Sequence, residues 1–562
     1  MPLPAAARRL LRALNPAPHF MSFAPLDVWA RLLRTPGVRP QWPYLPRLAG
    51  TLAVSALATL VTLPERLLTA PRFPRRPPPA PDAPPEEVSS FYFPKGAPDV
   101  VAILGYYRSG TTHLQYLMSC DPRMRTPRWV ECTAPTGDRL SWWLIRLILV
   151  PFLSNNRPQD DVAFGPDYPA EDDFATNNDA LASPLPGRFV FPSAWGHFSR
   201  FHALDGLTPA ELHRWRASTA RLVRKLARGS GGRRILLKSP THTARVAELV
   251  RLFGLRPDGT PRVRFVHISR EPLPTYRSNL ALHERLQVFN FEDAPPPEEV
   301  RSRVAQEYLD TERRFLAEAE ALPPGTLARV RFQDLVADPE AELPRIYGAL
   351  GLGWSEDLAE RMRLYLHRVR DYKTAEQKRA SEAARRPSRS DLPAEAAASV
   401  PLDPRLEQLR ALFGHDRPAL PKREPRPPRE IPPDRPRYPL AFLGGPAIAA
   451  LVVACWIGAG TLIGTRLDSL SWIAGIAIGA GVILLARNGS RLLGVWALLL
   501  FIAAASTHLV LGTHLINGWA GNDLVRAVRT GLGNAEMYIG LFLGGFSAYR
   551  YPTRQHLKPP GL

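Results

Sequence analysis

At 562 residues the chain is too long for one ordinary domain, and its formal charge of +20 first suggests a nucleic-acid partner. The placing of that charge argues otherwise: residues 1–80 carry +9, residues 416–438 and 440–550 carry +3 each, the last twelve residues carry +2, and about +3 is left for the long middle portion. Charge beside hydrophobic segments suits anionic lipid, so a nucleic-acid groove is set aside. Cys120, Cys132 and Cys455, with no C-x-x-C pair, give no basis for a disulfide framework or a zinc site.

The basic stretch Arg8-Arg9-Leu10-Leu11-Arg12 lacks an adjoining apolar core and cleavage site, and is not read as a signal peptide. An uncharged run from Leu48 to Leu63, closed by Pro64 and Glu65, is slightly short for a bilayer crossing and reads as an interfacial or core-docked helix. Pro77-Pro78-Pro79 through Pro84-Pro85 forms a stiff linker, after which a folded domain begins. Residues 99–104, 234–237 and 262–269 are short, apolar, β-branched runs that read as buried strands, while 209–228 and 304–322 have helical spacing. Strands alternating with helices predict an α/β fold, a parallel sheet flanked by helices. Leu140 to Leu153 is too short to span a bilayer and too apolar for an exposed loop, which leaves core, an acceptor pocket or a membrane-dipping helix.

Beyond Phe413 the composition turns to Pro, Arg and Glu as far as Tyr438, a second linker. Four apolar segments follow, at 440–463, 470–486, 492–511 and 535–548, the second and fourth being the weakest. In lipid they form an all-α transmembrane bundle. Two Arg in the 487–491 loop and basic outer flanks predict both ends in the cytosol; Arg466 is balanced by Asp468, and Arg526 and Arg529 weigh less against this orientation. The chain thus divides into a basic N-terminal segment (1–80), a catalytic domain (90–413), a linker (414–438) and an integral membrane domain (439–562).

The most specific motif is Gly105-Tyr106-Tyr107-Arg108-Ser109-Gly110-Thr111-Thr112, between an expected strand and an expected helix. Two glycines let the backbone approach an anion, successive N–H groups point inward, and the helix offers the positive end of its dipole. A nucleotide-triphosphatase loop needs Lys-Ser or Lys-Thr after the second glycine; Thr111-Thr112 stands there instead, which argues against a phosphate-handling NTPase or kinase. A second feature places Lys238 at a strand end with His242 four residues on, and a third places Arg270 at a strand end with Ser278 eight residues later. Strand ends are where sites form on such sheets. A surface Lys, a capping His and a surface ion pair of Arg270 are the structural alternatives.

Tyr107-Arg108-Ser109-Gly110-Thr111-Thr112 resembles the donor loop of the sulfotransferase superfamily, departing only in Tyr107 where Pro is usual. The resemblance covers about residues 98–370 and implies the sulfotransferase fold, with 3′-phosphoadenosine 5′-phosphosulfate (PAPS) as sulfuryl donor and no metal. It implies that Arg108, Ser109, Gly110, Thr111 and Thr112 hold the 5′-phosphosulfate, that Arg270 and Ser278 hold the 3′-phosphate, and that Lys238 stabilises charge on the sulfuryl group. Phe332-Gln333-Asp334-Leu335 matches a structural stretch of the family.

Transfer to a hydroxyl also needs a base. Glu131, about twenty residues after the loop, and His242 are the two candidates, and Glu171-Asp172-Asp173 is read either as the acceptor side or as a solvated helix start. The expected activity is sulfuryl transfer to a hydroxyl of a lipid, glycolipid or carbohydrate acceptor by a bilayer-bound enzyme whose catalytic domain faces the cytosol, with no nucleic-acid partner and an undetermined oligomeric state. A non-catalytic membrane scaffold that senses nucleotide is the competing reading from outside enzymology.

Overall fold

The computed structural model describes residues 19–69, 73–74, 76–149, 164–369, 400–429, 436–463, 467, 470–487, 489–512, 515 and 535–553. The Arg8–Arg12 stretch, the end of the 140–153 run and the loop residues Arg466, Asp468, Arg526 and Arg529 lie outside the described residues.

In chain order, α1 (Leu26–Leu33) and α2 (Leu45–Thr69) precede β1 (Val100–Leu104). Then come α3 (Thr111–Met118), β2 (Met124–Arg125), α4 (Trp129–Thr133), α5 (Arg139–Leu149), α6 (Asp173–Ala180), α7 (Pro209–Arg228) and β3 (Arg234–Lys238). After these, β4 (Val263–Ser269), α8 (Pro272–Leu286), α9 (Pro297–Ala319), β5 (Leu327–Arg331) and α10 (Phe332–Ala337) complete the elements that surround the site. Four apolar helices close the sequence: α11 (Tyr438–Ile463), α12 (Ser471–Ala486), α13 (Arg491–Thr507) and α14 (Ala535–Thr553).

The five strands form one parallel sheet in the order β2-β3-β1-β4-β5. Strands buried on both faces must be apolar at every position, and β1 is Val-Val-Ala-Ile-Leu with no exposed residue. Its side chains alternate between two cores. Val100, Ala102 and Leu104 pack with Ile235, Leu237, Val263 and Phe265, whereas Val101 and Ile103 pack with Leu236, Val266, Ile268 and Val330. From β1 the chain runs out to β2 and β3 on one side and then crosses to β4 and β5 on the other. β1 is therefore the topological switch point, where ligands bind at the carboxyl ends of strands. Ile103 pairs with Lys238 and Leu104 with His267, so the ends of β3, β1 and β4 lie side by side.

The uncharged run at 48–63 lies within a helix of 25 residues that continues through Pro64. Together with Trp42–Tyr44 it is long and apolar enough to cross a membrane, as are α11 and α13 with its continuation to Leu511; α12 is a shorter apolar helix. The N-terminal segment is not detached from the catalytic unit, because Met21, Val28, Trp29 and Leu32 share a core with the β1, β3 and β4 side chains. The second linker has no helix or strand from residues 418 to 428, yet it is fastened to the domain. The Arg331 guanidinium donates to the carbonyls of Gly414, Arg417 and Pro418, while Leu420 N donates to Asp334 Oδ1 (3.0 Å) and Arg423 N to Ala337 O (2.8 Å).

Lys225 on α7 braces the turn between α4 and α5, donating to Pro135 O (2.7 Å) and Gly137 O (2.6 Å). Burial lowers its pKa from 10.5 to about 8. The unfolded chain therefore binds the proton more tightly than the folded one, and the penalty is lifted as pH rises from about 8 to 10.5. Thermal melts of the full chain and of Lys225→Met across that window are expected to show the wild type gaining stability relative to the variant as pH rises.

Candidate active site

Three loops converge at the ends of β1, β3 and β4. The loop after β1 turns on Gly105 (φ +142°) and Gly110 (φ +103°), with Arg108 between them at φ +72°, a conformation that costs a non-glycine residue about 1–3 kcal/mol and tends to be kept where function uses it. A Cβ on Gly105 would run into the Ile268 carbonyl, and one on Gly110 would overlap the Phe332 ring. Gly110 is also the N-cap of α3, so the first N–H groups of that helix open toward the loop. Gly105 N donates to Thr243 Oγ1 (2.7 Å), which ties this loop to the one after β3.

Arg108 Nε donates to Ser278 Oγ at 3.0 Å, and Arg270 Nη1 to the Arg108 carbonyl at 3.3 Å. The residues assigned by sequence to two separate phosphates are thus in contact. Phe332, the first residue of α10, lies under Arg270, whose guanidinium sits 5.0 Å from its ring centre. Ser109 Oγ is buried without a hydrogen-bond partner among the described residues, the condition of a hydroxyl that a bound anion would satisfy. The donor set therefore fits a phosphosulfate group.

Lys238 Nζ, at the end of β3, donates to Thr112 Oγ1 (3.2 Å) and to Glu171 Oε1 (2.6 Å). His242 lies in the 3₁₀ turn that follows, with Nε2 2.7 Å from Asp172 Oδ2. The other Asp172 oxygen accepts from Lys238 N (3.1 Å) and Ser239 Oγ (3.2 Å). Burial alone would raise the Asp172 pKa, but the charge of His242 and hydrogen bonds from His242, the backbone and Ser239 hold it below the ordinary carboxylate value. In the tautomer that carries its proton on Nε2, Asp172 accepts that proton, and Nδ1 is buried with no hydrogen-bond partner among the described residues. Asp173 N donates to Ser239 Oγ (2.9 Å), and its carboxylate accepts from Arg245 (3.0 Å) and Ser183 (3.0 Å).

The Glu171-Asp172-Asp173 run is accordingly no solvated helix start: Asp172 and Asp173 are buried and all three acids are partnered. Glu131, by contrast, is held by an arginine side chain and a backbone amide from its own stretch of the chain. One carboxylate oxygen pairs with Arg125 and the other accepts from Arg128 N (2.7 Å), capping α4. Behind the donor loop, Arg188 pairs with Glu307 and sits 4.0 Å over the Tyr107 ring, while Tyr106 Oη donates to Glu307 (3.0 Å). No short-range signal in the sequence marks Arg188, Glu307 or the Asp172–His242 contact, which join residues 119 and 70 positions apart.

The sulfotransferase family profile matches residues 98–356. Omega-hydroxy-beta-dihydromenaquinone-9 sulfotransferase Stf3 of Mycobacterium bovis and of Mycobacterium tuberculosis is 32% identical to this chain over 275 residues, 49% of this chain and 68% of the relative. Among solved structures, sulfotransferase STF9 from Mycobacterium avium aligns over 62% of this chain and 82% of its own at 17% identity, with a TM-score of 0.43. Sulfotransferase STF1 from Mycobacterium tuberculosis aligns over 64% and 93% at 14% identity, with a TM-score of 0.41. With that match spanning all three converging loops, the chain belongs to the sulfotransferase family and is a sulfotransferase enzyme.

Proposed function

We propose that the chain is a membrane-tethered enzyme that moves a sulfuryl group from PAPS to the hydroxyl of a lipid or glycolipid, with its catalytic domain on the cytosolic side. The observation that carries the donor assignment is the Arg108–Ser278–Arg270 contact, which sets two anion-binding groups at one switch point. Arg270 and Ser278 then select a donor bearing a 3′-phosphate, and Arg108, Ser109 and the α3 N-terminus hold the 5′-phosphosulfate. The lipid assignment rests on the apolar helices in the same chain and on the relatives being named for a hydroxylated menaquinone.

In the transfer, the acceptor oxygen forms a bond to sulfur as the bond between sulfur and the bridging phosphate oxygen breaks. The hydroxyl proton passes to His242 Nδ1, and Asp172 stabilises the imidazolium that results. Lys238 and Arg108 face the negative charge that grows on the sulfuryl and bridging oxygens. Glu131 serves as a helix cap in this scheme, and Glu171 keeps Lys238 oriented.

Arg270→Ala is expected to weaken binding of adenosine 3′,5′-bisphosphate to the full chain in nanodiscs by about tenfold or more, the cost of one charge-assisted phosphate contact. Calorimetry reads that change, and transfer of labelled sulfate to extracted membrane lipids reads the activity. Normal bisphosphate binding by Arg270→Ala, with no labelled lipid formed by the wild type, would sink the proposal.

A further inference from the structure

The helix α2 carries its polarity inside out. Its buried stripe is Leu48, Thr51, Ser55, Ala58 and Thr62, spaced three and four apart along one face. The hydroxyls on this side hydrogen-bond within the protein: Ser55 Oγ donates to Ala24 O (2.5 Å), and the neighbouring Thr59 Oγ1 accepts from Leu26 N (3.1 Å). Every exposed residue from Leu45 to Pro64 is apolar or glycine, including Val54, Leu57, Leu60 and Leu63, and Leu60 is 68% exposed. A helix on a water-facing surface has the opposite arrangement.

Both ends of α2 are fixed to the catalytic domain. Near its start, Arg47 donates to the carbonyls of Val288 and Asn290. Near its end, the Glu65 carboxylate accepts from Asp138 N (2.7 Å), Leu140 N (2.8 Å) and Ser141 N (2.9 Å), capping α5. These anchors are 18 residues apart, or about 27 Å of helix. A helix held to one domain at both ends, with its polar stripe occupied by that domain, cannot run between two aqueous compartments even though its length would allow it.

The leucine face continues onto α5, where Leu140 and Trp143 are exposed, and α5 packs against the apolar helix α12. Trp42 stands exposed at the other end, and aromatic residues favour the boundary between water and hydrocarbon. Exposed Arg34 and Arg39 lie on the chain leading into α2, suited to anionic headgroups.

We propose that α2 and the start of α5 form a monolayer-insertion face that lies in the plane of the bilayer, continuous with the lipid around α11 to α14. The catalytic domain is then seated on the membrane as well as tethered to it, and a lipid acceptor approaches along this face. The last clause rests on the lipid-acceptor reading above; the seating itself does not.

The test uses the full chain with Cys455→Ser in nanodiscs, labelled with an environment-sensitive fluorophore at Leu57→Cys or, separately, Leu60→Cys. Quenching by lipids carrying a shallow nitroxide, stronger than by a deep nitroxide and with protection from aqueous iodide, is the expected result, since an in-plane helix sits about 5–10 Å into the headgroup boundary. Iodide quenching without nitroxide quenching puts the face in water and overturns the proposal. Deepest-label quenching strongest at Leu57 makes α2 a span and overturns it too, as does protection from both quenchers with label-to-label crosslinking, which means a second copy covers the face. In the protein labelled at Leu60→Cys, adding Leu57→Glu and Leu63→Glu is expected to abolish the nitroxide quenching and leave bisphosphate binding intact. Nitroxide quenching as expected in a protein that transfers no sulfate would leave the insertion face standing and the lipid-acceptor reading overturned.

Discussion

His242→Asn lowers turnover by about 10²–10⁴-fold, the usual range for loss of a positioned general base, while binding of adenosine 3′,5′-bisphosphate stays at the wild-type level. The expectation follows from where the imidazole is held. Asp172 accepts from Nε2 at 2.7 Å and is itself fixed by Lys238 N and Ser239 Oγ, so the tautomer and the ring plane are set from β3. Asp172→Asn removes the charge beside the imidazole and is expected to reduce turnover in the same direction. Single-turnover sulfate transfer, measured beside thermal melts, separates this from misfolding. The assignment fails if His242→Asn stays within a few-fold of wild type and Glu131→Gln takes the large loss instead.

Gly110→Ala is expected to abolish measurable donor binding. The left-handed φ alone costs alanine about 1–3 kcal/mol. The added methyl also overlaps Phe332, the residue that supports the Arg270 guanidinium from below. Moving that ring disturbs the loop and Arg270 together, so one methyl group strikes both phosphate contacts. A double variant, Gly110→Ala with Phe332→Ala, opens the space and is expected to recover part of the binding in calorimetry. Additive losses in that cycle would mean the ring and the loop act independently.

The parallel sheet, its three principal strands and the donor loop were legible because their signals are local. An apolar run of five residues reads as a buried strand, and two glycines flanking Arg-Ser need no distant partner to be recognised. The choice of base is not a local signal. Glu131 and His242 both stand as candidates in the sequence, and their surroundings differ: Arg125 and Arg128 occupy Glu131, while Asp172, seventy residues before His242, contacts the imidazole. The acidic run at 171–173 was visible, but its burial depends on Lys238, His242 and Arg245 arriving from another strand and the turn after it. Hydrophobicity alone marked α2 as a membrane candidate and could not say which face the domain covers, since that depends on backbone carbonyls and amides far along the chain.

The strapping of the second linker onto β5 and α10 sets a length. From Arg429 to Pro436 the chain has only seven peptide steps, which reach at most about 25 Å when fully extended. The chain leaving Arg331 and Asp334 therefore works as a mooring of limited scope between the parallel sheet and the first of the C-terminal apolar helices. On the lipid-acceptor reading proposed above, the enzyme measures its substrate as well as recognising it: among lipids with the same hydroxyl, those whose polar portion matches the mooring are expected to be sulfated first.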